Sequence, residues 1–270
     1  MTLETTYEIP PLPAARAHTL SLLLQSHVSL AEVAAVAEAD PALTATLLRA
    51  ANSAVSAPVD QVRRTGDALV RLGVDDSRAI ILATLLQDTA TSALERSEID
   101  LDALWRYTLA VALLTEATCN TDPALAEVKS MGFTTGILHD IGRLVLASKQ
   151  PRRYARVVRL AERGQSVEAA EVSQFGTDHA SFGAGVAMAW GLPPVISRAI
   201  GAHHMGGEAL SDALLAAIDL SRILGYGDGV TPARDAVLDL SAPHAAPLRL
   251  IGGPGALQRR IDWFRSALGA

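Results

Sequence analysis

Apolar residues return every three to four positions in segment after segment of this chain, and no segment alternates apolar with polar over the length of a strand. The spacing predicts helices at about 12–26, 29–38, 41–52, 65–72, 76–91, 100–119, 123–147, 151–163, 166–174, 178–190, 193–204, 208–225 and 256–268. Capping signals agree with these limits. Ser29 and Glu32 have the spacing of a capping box, in which hydroxyl and carboxylate satisfy each other's free backbone donors. Asp40-Pro41 and Asp122-Pro123 each put an N-cap before a proline in the first helical position. Gly73, Gly164, Gly191 and Gly225 stand where helices would end. The expected fold is all-α, a multi-helix bundle. The small, polar stretch 88–100 reads as a connection. Residues 1–95 are thus an N-terminal helical part packed on a central bundle, 96–225, and residues 226–270 form an extension rich in Gly, Pro and Asp. That extension ends in an amphipathic helix around Trp263.

Composition narrows the class. Apolar residues make up 49% of the chain but aromatics only 4%, so the core is built from Ala, Leu, Val and Ile, which suits closely packed helices. Charges interrupt every apolar run before the roughly 20 residues a membrane helix needs, and MTLETTYEIPPLP lacks the basic start and apolar run of a secretory signal. The single cysteine, Cys119, rules out an internal disulfide framework and fits a reducing compartment. These features predict a cytoplasmic protein without membrane insertion. A net charge of −6 argues against nucleic acid as the main target, because that binding relies on Lys and Arg neutralising phosphates.

The candidate chemistry lies in histidines and acids set among apolar residues. His139-Asp140 interrupts Gly-Ile-Leu-His-Asp-Ile-Gly-Arg-Leu-Val-Leu at 136–146; Asp178-His179 and His203-His204 follow, and Asp219 sits within an apolar helix. Imidazole and carboxylate are the ligands that Zn, Mn, Fe and Mg sites use. One such pair alone is more often a hydrogen-bonded core pair; three pairs and an acid favour a shared site. On a straight helix His139 and Asp140 would point about 100° apart, so only a third body or a network joins them. Arg152, Arg156, Arg159 and Arg163 share a helix face, by default a solvated one and otherwise a docking surface for an acidic partner or nucleotide phosphates. Asn52-Ser53 reads as a helix cap, Trp105 and Trp190 as core, and Cys119 as unreactive.

Gly136-Ile-Leu-His-Asp-Ile-Gly-Arg143 resembles the signature of the HD superfamily of metal-dependent phosphohydrolases. Beyond it, Asp40-Pro-Ala-Leu-Thr-Ala-Thr-Leu-Leu-Arg-Ala-Ala-Asn-Ser53, Asp67-Ala-Leu-Val-Arg-Leu-Gly73, Leu104-Trp-Arg-Tyr-Thr-Leu-Ala-Val-Ala112, Phe175-Gly-Thr-Asp-His-Ala180 and Trp190-Gly-Leu-Pro-Pro194 are similar to HDOD domains, HD-related output domains of bacterial signalling proteins. The resemblance spans about residues 8–225 and implies an N-terminal helical part and an HD-like bundle. Two departures bear on activity. Tyr107 stands where the HD pattern expects a histidine, and a neutral phenol is a poor ligand near pH 7. His203-His204 is followed by Met-Gly-Gly-Glu, without the Gly-Tyr-Pro of the cyclic-di-GMP phosphodiesterase branch.

The resulting expectation is a noncatalytic signal-transduction module that binds a signalling protein or a nucleotide-type ligand and requires no cofactor. Its residual site, His139, Asp140, His179, His203, His204 and Asp219, is a candidate for a divalent metal (Fe, Mn, Mg or Zn). The alternative is a metal-dependent phosphohydrolase acting on a nucleotide or cyclic dinucleotide, with Asp140 in the catalytic centre and Arg143 on the phosphate.

Overall fold

The computed structural model describes residues 9, 11–25, 27–53, 61–232 and 238–269. The N-terminal stretch 1–8 and part of the extension, 233–237, lie outside the described residues. The order of helices is α1 (Ala14–Leu23), α2 (Leu30–Glu38), α3 (Pro41–Ala51), α4 (Thr65–Leu94), α5 (Leu101–Thr121), α6 (Gly132–Leu138), α7 (Ile141–Lys149), α8 (Pro151–Glu162), α9 (Val167–Phe175), α10 (His179–Ala189), α11 (Pro194–Gly201), α12 (Ala209–Ile223), α13 (Ala246–Ile251) and α14 (Pro254–Leu268). Among the described residues there is no strand, and the fold is all-α as expected. No helix among them is long and apolar enough to cross a membrane.

The chain divides into two compact units, residues 13–89 with 255–270, and residues 1–12 with 90–254. In the smaller unit the local signals work as read. Ser29 and Glu32 complete their capping box, and Asp40 caps α3 ahead of Pro41. Asn52 caps the end of α3 and also ties the chain to Val62: its amide donates to the Leu48 and Val62 carbonyls while its oxygen accepts the Val62 N–H. Helix α14 belongs to this unit. Trp263 donates to the Ala50 carbonyl, Arg49 donates to that of Ala267, and Leu257, Ile261 and Phe264 are fully buried. The predicted segments 65–72 and 76–91 are one helix with a kink at Gly73, whose φ of 79° takes the left-handed conformation that glycine adopts without strain.

In the larger unit α5 is the central element. Twelve of its residues, Tyr107 and Trp105 among them, are buried, and α6, α12 and α13 pack on it. A helix covered on all sides has little polar face, which is why Leu104–Thr115 is apolar nearly throughout. Four readings are corrected here. The stretch 88–100 is not a loop: α4 continues to Leu94, and a 3-10 turn, Glu95–Ser97, leads on towards α5. The extension holds a further helix, α13, whose pattern was hidden by Pro247 and Gly252-Gly253. Trp190 is half-buried rather than core. The segment 123–147, expected as one helix, forms two 3-10 turns followed by α6 and α7, with a break at His139-Asp140.

That break has a packing cause. A Cβ on Gly136 would lie 2.5 Å from the Ala112 Cα on α5, and one on Gly142 would lie 2.0 Å from the His179 carbonyl oxygen and 2.7 Å from the Gly183 nitrogen on α10. Two short helices can each meet a different neighbour at backbone contact; Asp140, at φ −96° and ψ 18°, turns the chain between them.

Candidate metal centre

His139 caps the end of α6, where helix carbonyls lack intrahelical partners. Its Nδ1–H donates to the Gly136 carbonyl at 2.7 Å. His203, just past the end of α11, repeats this with the Ile200 carbonyl at 2.6 Å. A carbonyl can only accept, so each Nδ1 carries the proton and each neutral ring presents a bare Nε2 lone pair. His179 begins α10, whose N-cap Asp178 accepts from the Ser181 N–H. It donates both its backbone N–H (2.7 Å) and Nδ1–H (2.6 Å) to Glu171 Oε2 on α9. Glu171 Oε1 accepts from the Tyr154 hydroxyl at 2.5 Å. A third ring is therefore locked with Nε2 facing inward.

The lone pairs converge. From His179 Nε2, His204 Nε2 is 2.9 Å away, Asp140 Oδ1 3.2 Å and His203 Nε2 3.3 Å. Asp140 Oδ1 is 3.8 Å from His203 Nε2, and Oδ2 is 3.6 Å from His139 Nε2. The turn at Asp140 is what lets both residues of the pair face one centre. His139, His179, His203 and Glu171 are fully buried, and His139 Nε2 has no hydrogen-bond partner. Bare acceptors facing each other in the interior are costly unless a positive body sits between them. A proton on His179 Nε2 would serve essentially one of its three neighbours; a metal ion serves all. Donors around a tetrahedral zinc stand about 2.0–2.1 Å from it and so roughly 3.3 Å from each other, and the observed spacings fall around that value. The donor set fits a divalent cation.

The electrostatics keep His139, His203, His204 and Asp140 unprotonated and act the other way on His179. Burial, followed by neighbouring imidazoles, holds His203 well below its ordinary pKa, and burial also lowers His139. Burial and His179 bring His204 down to about 4. Burial also acts to lower His179, but Glu171 outweighs it and the net direction is up. For Asp140, burial is outweighed by Arg143 and the imidazoles, and the carboxyl stays ionised far below the usual range.

The remaining candidates fall elsewhere. His179, His203 and His204 have donors all within 4.8 Å of one another, and Asp219 is not in that group. Asp219 is half-buried on α12, beside the buried residues Ala217, Ile218 and Ser221. Arg143 is buried with Nη1 3.1 Å from Asp140 Oδ2 and 3.3 Å from Asp228 Oδ2, and it donates to the Asp228 carbonyl. Its guanidinium balances two buried carboxylates. Tyr107 is buried with its ring 5.4 Å from that of His139, and burial, then Asp140, pushes its pKa up, so it stays a neutral phenol. Arg152, Arg156, Arg159 and Arg163 are all exposed, and Arg159 pairs with Glu98 at 2.5 Å. Cys119 is buried, its thiol pushed up to about 12 by desolvation.

Glu171, Tyr154 and Asp228 belong to no motif. Glu171 did leave one signal: it lies four residues after Val167 and four before Phe175, on the buried stripe of α9, where an acid is unexpected unless it has a partner. Asp228 sits in Gly225-Tyr-Gly-Asp-Gly229, which reads as an ordinary turn.

The family model of the HDOD domain matches residues 9–205. The chain belongs to the HDOD family. Solved structures share this fold. An "HDOD domain protein with unknown function" from Geobacter sulfurreducens is 24% identical, with TM-score 0.70 over 97% of this chain and 92% of its own. A "Putative phosphohydrolase" from Shewanella amazonensis SB2B is 24% identical, with TM-score 0.70 over 96% and 93%. A "Putative signal transduction protein" from Marinobacter aquaeolei VT8 is 20% identical, with TM-score 0.74 over 98% of this chain and 61% of that one. Comparison with curated proteins gave no match. In this HDOD chain His139, Asp140, His179 and His203 are buried, while the His204 side chain is 32% exposed, its Nε2 3.4 Å from Glu168.

Proposed function

We propose that this HDOD chain is a noncatalytic signalling module, which acts by binding a protein partner or a small ligand, and whose HD-type cluster holds a divalent cation as a clip between helices. The observation that carries the noncatalytic reading is Tyr107. It fills the position of an expected ligand histidine with a buried neutral phenol packed on His139. His179, His203, His204 and Asp140 would hold the ion. When bound, such an ion gathers the donors and neutralises their charge, and at an open position it can lower the pKa of a water. The residues of the chain supply the clip: Asp140 belongs to the turn between α6 and α7, His179 to α10, and the His203-His204 pair follows α11. Arg143, paired with Asp140 and Asp228, is read here as a charge that steadies the turn.

The second reading, a phosphohydrolase acting on a nucleotide or cyclic dinucleotide, draws on the open side at His204 and Glu168, where water can reach the cluster. One experiment separates them. Protein purified without chelator is analysed for metal, melted with and without EDTA, and assayed on bis-p-nitrophenyl phosphate and cyclic-di-GMP with Mn, Fe or Mg supplied. The clip reading expects a melting temperature that falls with EDTA and returns with metal, and no turnover above buffer. Turnover that disappears in His179→Ala would establish the hydrolase instead.

A further inference from the structure

On α8 four arginines look alike in sequence, but their surroundings differ. Arg159 is neutralised by Glu98, and Arg163 stands exposed at the helix end. Arg152 and Arg156 instead open onto a concavity of about 590 Å³, lined by Arg96, Gln150, Pro151, Arg152, Arg153 and Arg156. Arg96 comes from the 3-10 turn before α5, which packs on α8. Four of the six lining residues are cations and none is an acid. Among the described residues no carboxylate pairs with Arg96, Arg152 or Arg156. Such a concentration of guanidinium groups stands out in a chain whose net charge is −6.

We infer that this concavity binds a small molecule carrying adjacent phosphoryl groups, of the diphosphate or triphosphate class. The guanidinium fork meets phosphate oxygens in pairs, so four forks need more oxygens than one phosphate offers. Arg153 is already held in place, with its guanidinium over the Phe175 ring at 5.2 Å and its Nη1 donating to Gln150 Oε1 at 3.4 Å. A held side chain loses less freedom when a ligand arrives. Gln150 makes no side-chain cap, so the positive end of the twelve-residue helix α8 adds its field at the same place. The volume lies within the range of about 300–1,000 Å³ typical of small-molecule sites. An extended nucleic acid would need a longer basic track than this acidic chain provides.

The inference gives the module reading above its ligand, but it stands on residues outside the cation cluster. Its test is calorimetric titration of the full chain with inorganic pyrophosphate and with tripolyphosphate, against inorganic phosphate and a poly-glutamate peptide at matched ionic strength. Pyrophosphate should bind about tenfold or more tightly than phosphate, and Arg152→Glu/Arg156→Glu should weaken it by about tenfold or more, whereas Arg163→Glu should not. Arg152→Gln/Arg156→Gln serves the same purpose if charge reversal disturbs the helical circular dichroism. Equal binding of phosphate and pyrophosphate, an equal loss in Arg163→Glu, or preference for the peptide would each overturn the inference. Zinc uptake and EDTA sensitivity are followed in the wild-type chain alongside. Retained zinc uptake with no pyrophosphate binding sinks the pocket alone, and a melting temperature insensitive to EDTA with intact pyrophosphate binding sinks the clip alone.

Discussion

An imidazole whose Nδ1–H is tied to a carbonyl or carboxylate has no freedom in where its lone pair points, and three rings here are tied in that way. Glu171 is the tie with the most to lose, since it accepts from two groups of His179 and from Tyr154. Glu171→Gln keeps the volume but removes the charge and one acceptor. It should weaken zinc binding about 10–100-fold, the usual effect of disturbing the partner of a metal-bound histidine. Chelator competition measures this, and unchanged affinity would show that the carboxylate does not orient the ring. Protonation gives a second prediction, for metal-stripped protein. His139, His203 and His204 resist protonation in the folded chain, whereas the unfolded chain takes up those protons below about pH 6.5. Their contribution is therefore lost as pH falls through that region, down to about 4 for His204. His179 is shifted the other way: its stabilisation is present below about 6.5 and lost as pH rises through its raised folded value. Three groups oppose one, so the melting temperature should be lower near pH 5 than near pH 7.5. A melting temperature that rises on acidification would show His179 prevailing.

Between helices, geometry is set by what is missing from them. Gly142 of α7 and Gly183 of α10 meet backbone to backbone, and a Cβ on Gly183 would also press on Ile200 at 3.1 Å. Gly142→Ala should therefore cost about 1–3 kcal/mol as overpacking, and should release the cation although no ligand has changed. Gly66→Ala, in open space on the first turn of α4, should instead be neutral or stabilise by up to about 1 kcal/mol. Urea denaturation of both variants checks the contrast; equal effects would mean that the α7–α10 contact yields. These helices also show what the sequence carries. Ser29 with Glu32 and Asp40 with Pro41 were legible because cap and partner are two or three residues apart. His139, His179, His203 and His204 were legible as chemistry because metal ligands are few in kind. The break at Asp140 was not, because it depends on which helices Gly136 and Gly142 touch. Glu171 was not legible for a related reason: whether an acid reaches the centre depends on helix rotation and on a partner, such as Tyr154, whose relation to it is not written in local spacing.

For the whole molecule, α14 is the piece of the smaller unit that comes from the far end of the described chain. Trp263→Ala removes a buried ring packed on Phe264 at 4.9 Å and the bond to Ala50, and should cost about 3–5 kcal/mol. A urea midpoint that hardly moves would mean α14 is an accessory to that unit. The same arrangement sets a clock on biosynthesis. The N-terminal helices emerge first, yet about 165 residues of the larger unit are made before the helix that covers them. At about 5–20 residues per second, that delay is on the order of ten to thirty seconds. Throughout it the apolar faces of α3 and its neighbours wait without their last partner, exposed to whatever holds nascent chains. Slowing translation lengthens the wait, so the yield of native protein should depend on ribosome speed even when every residue is unchanged.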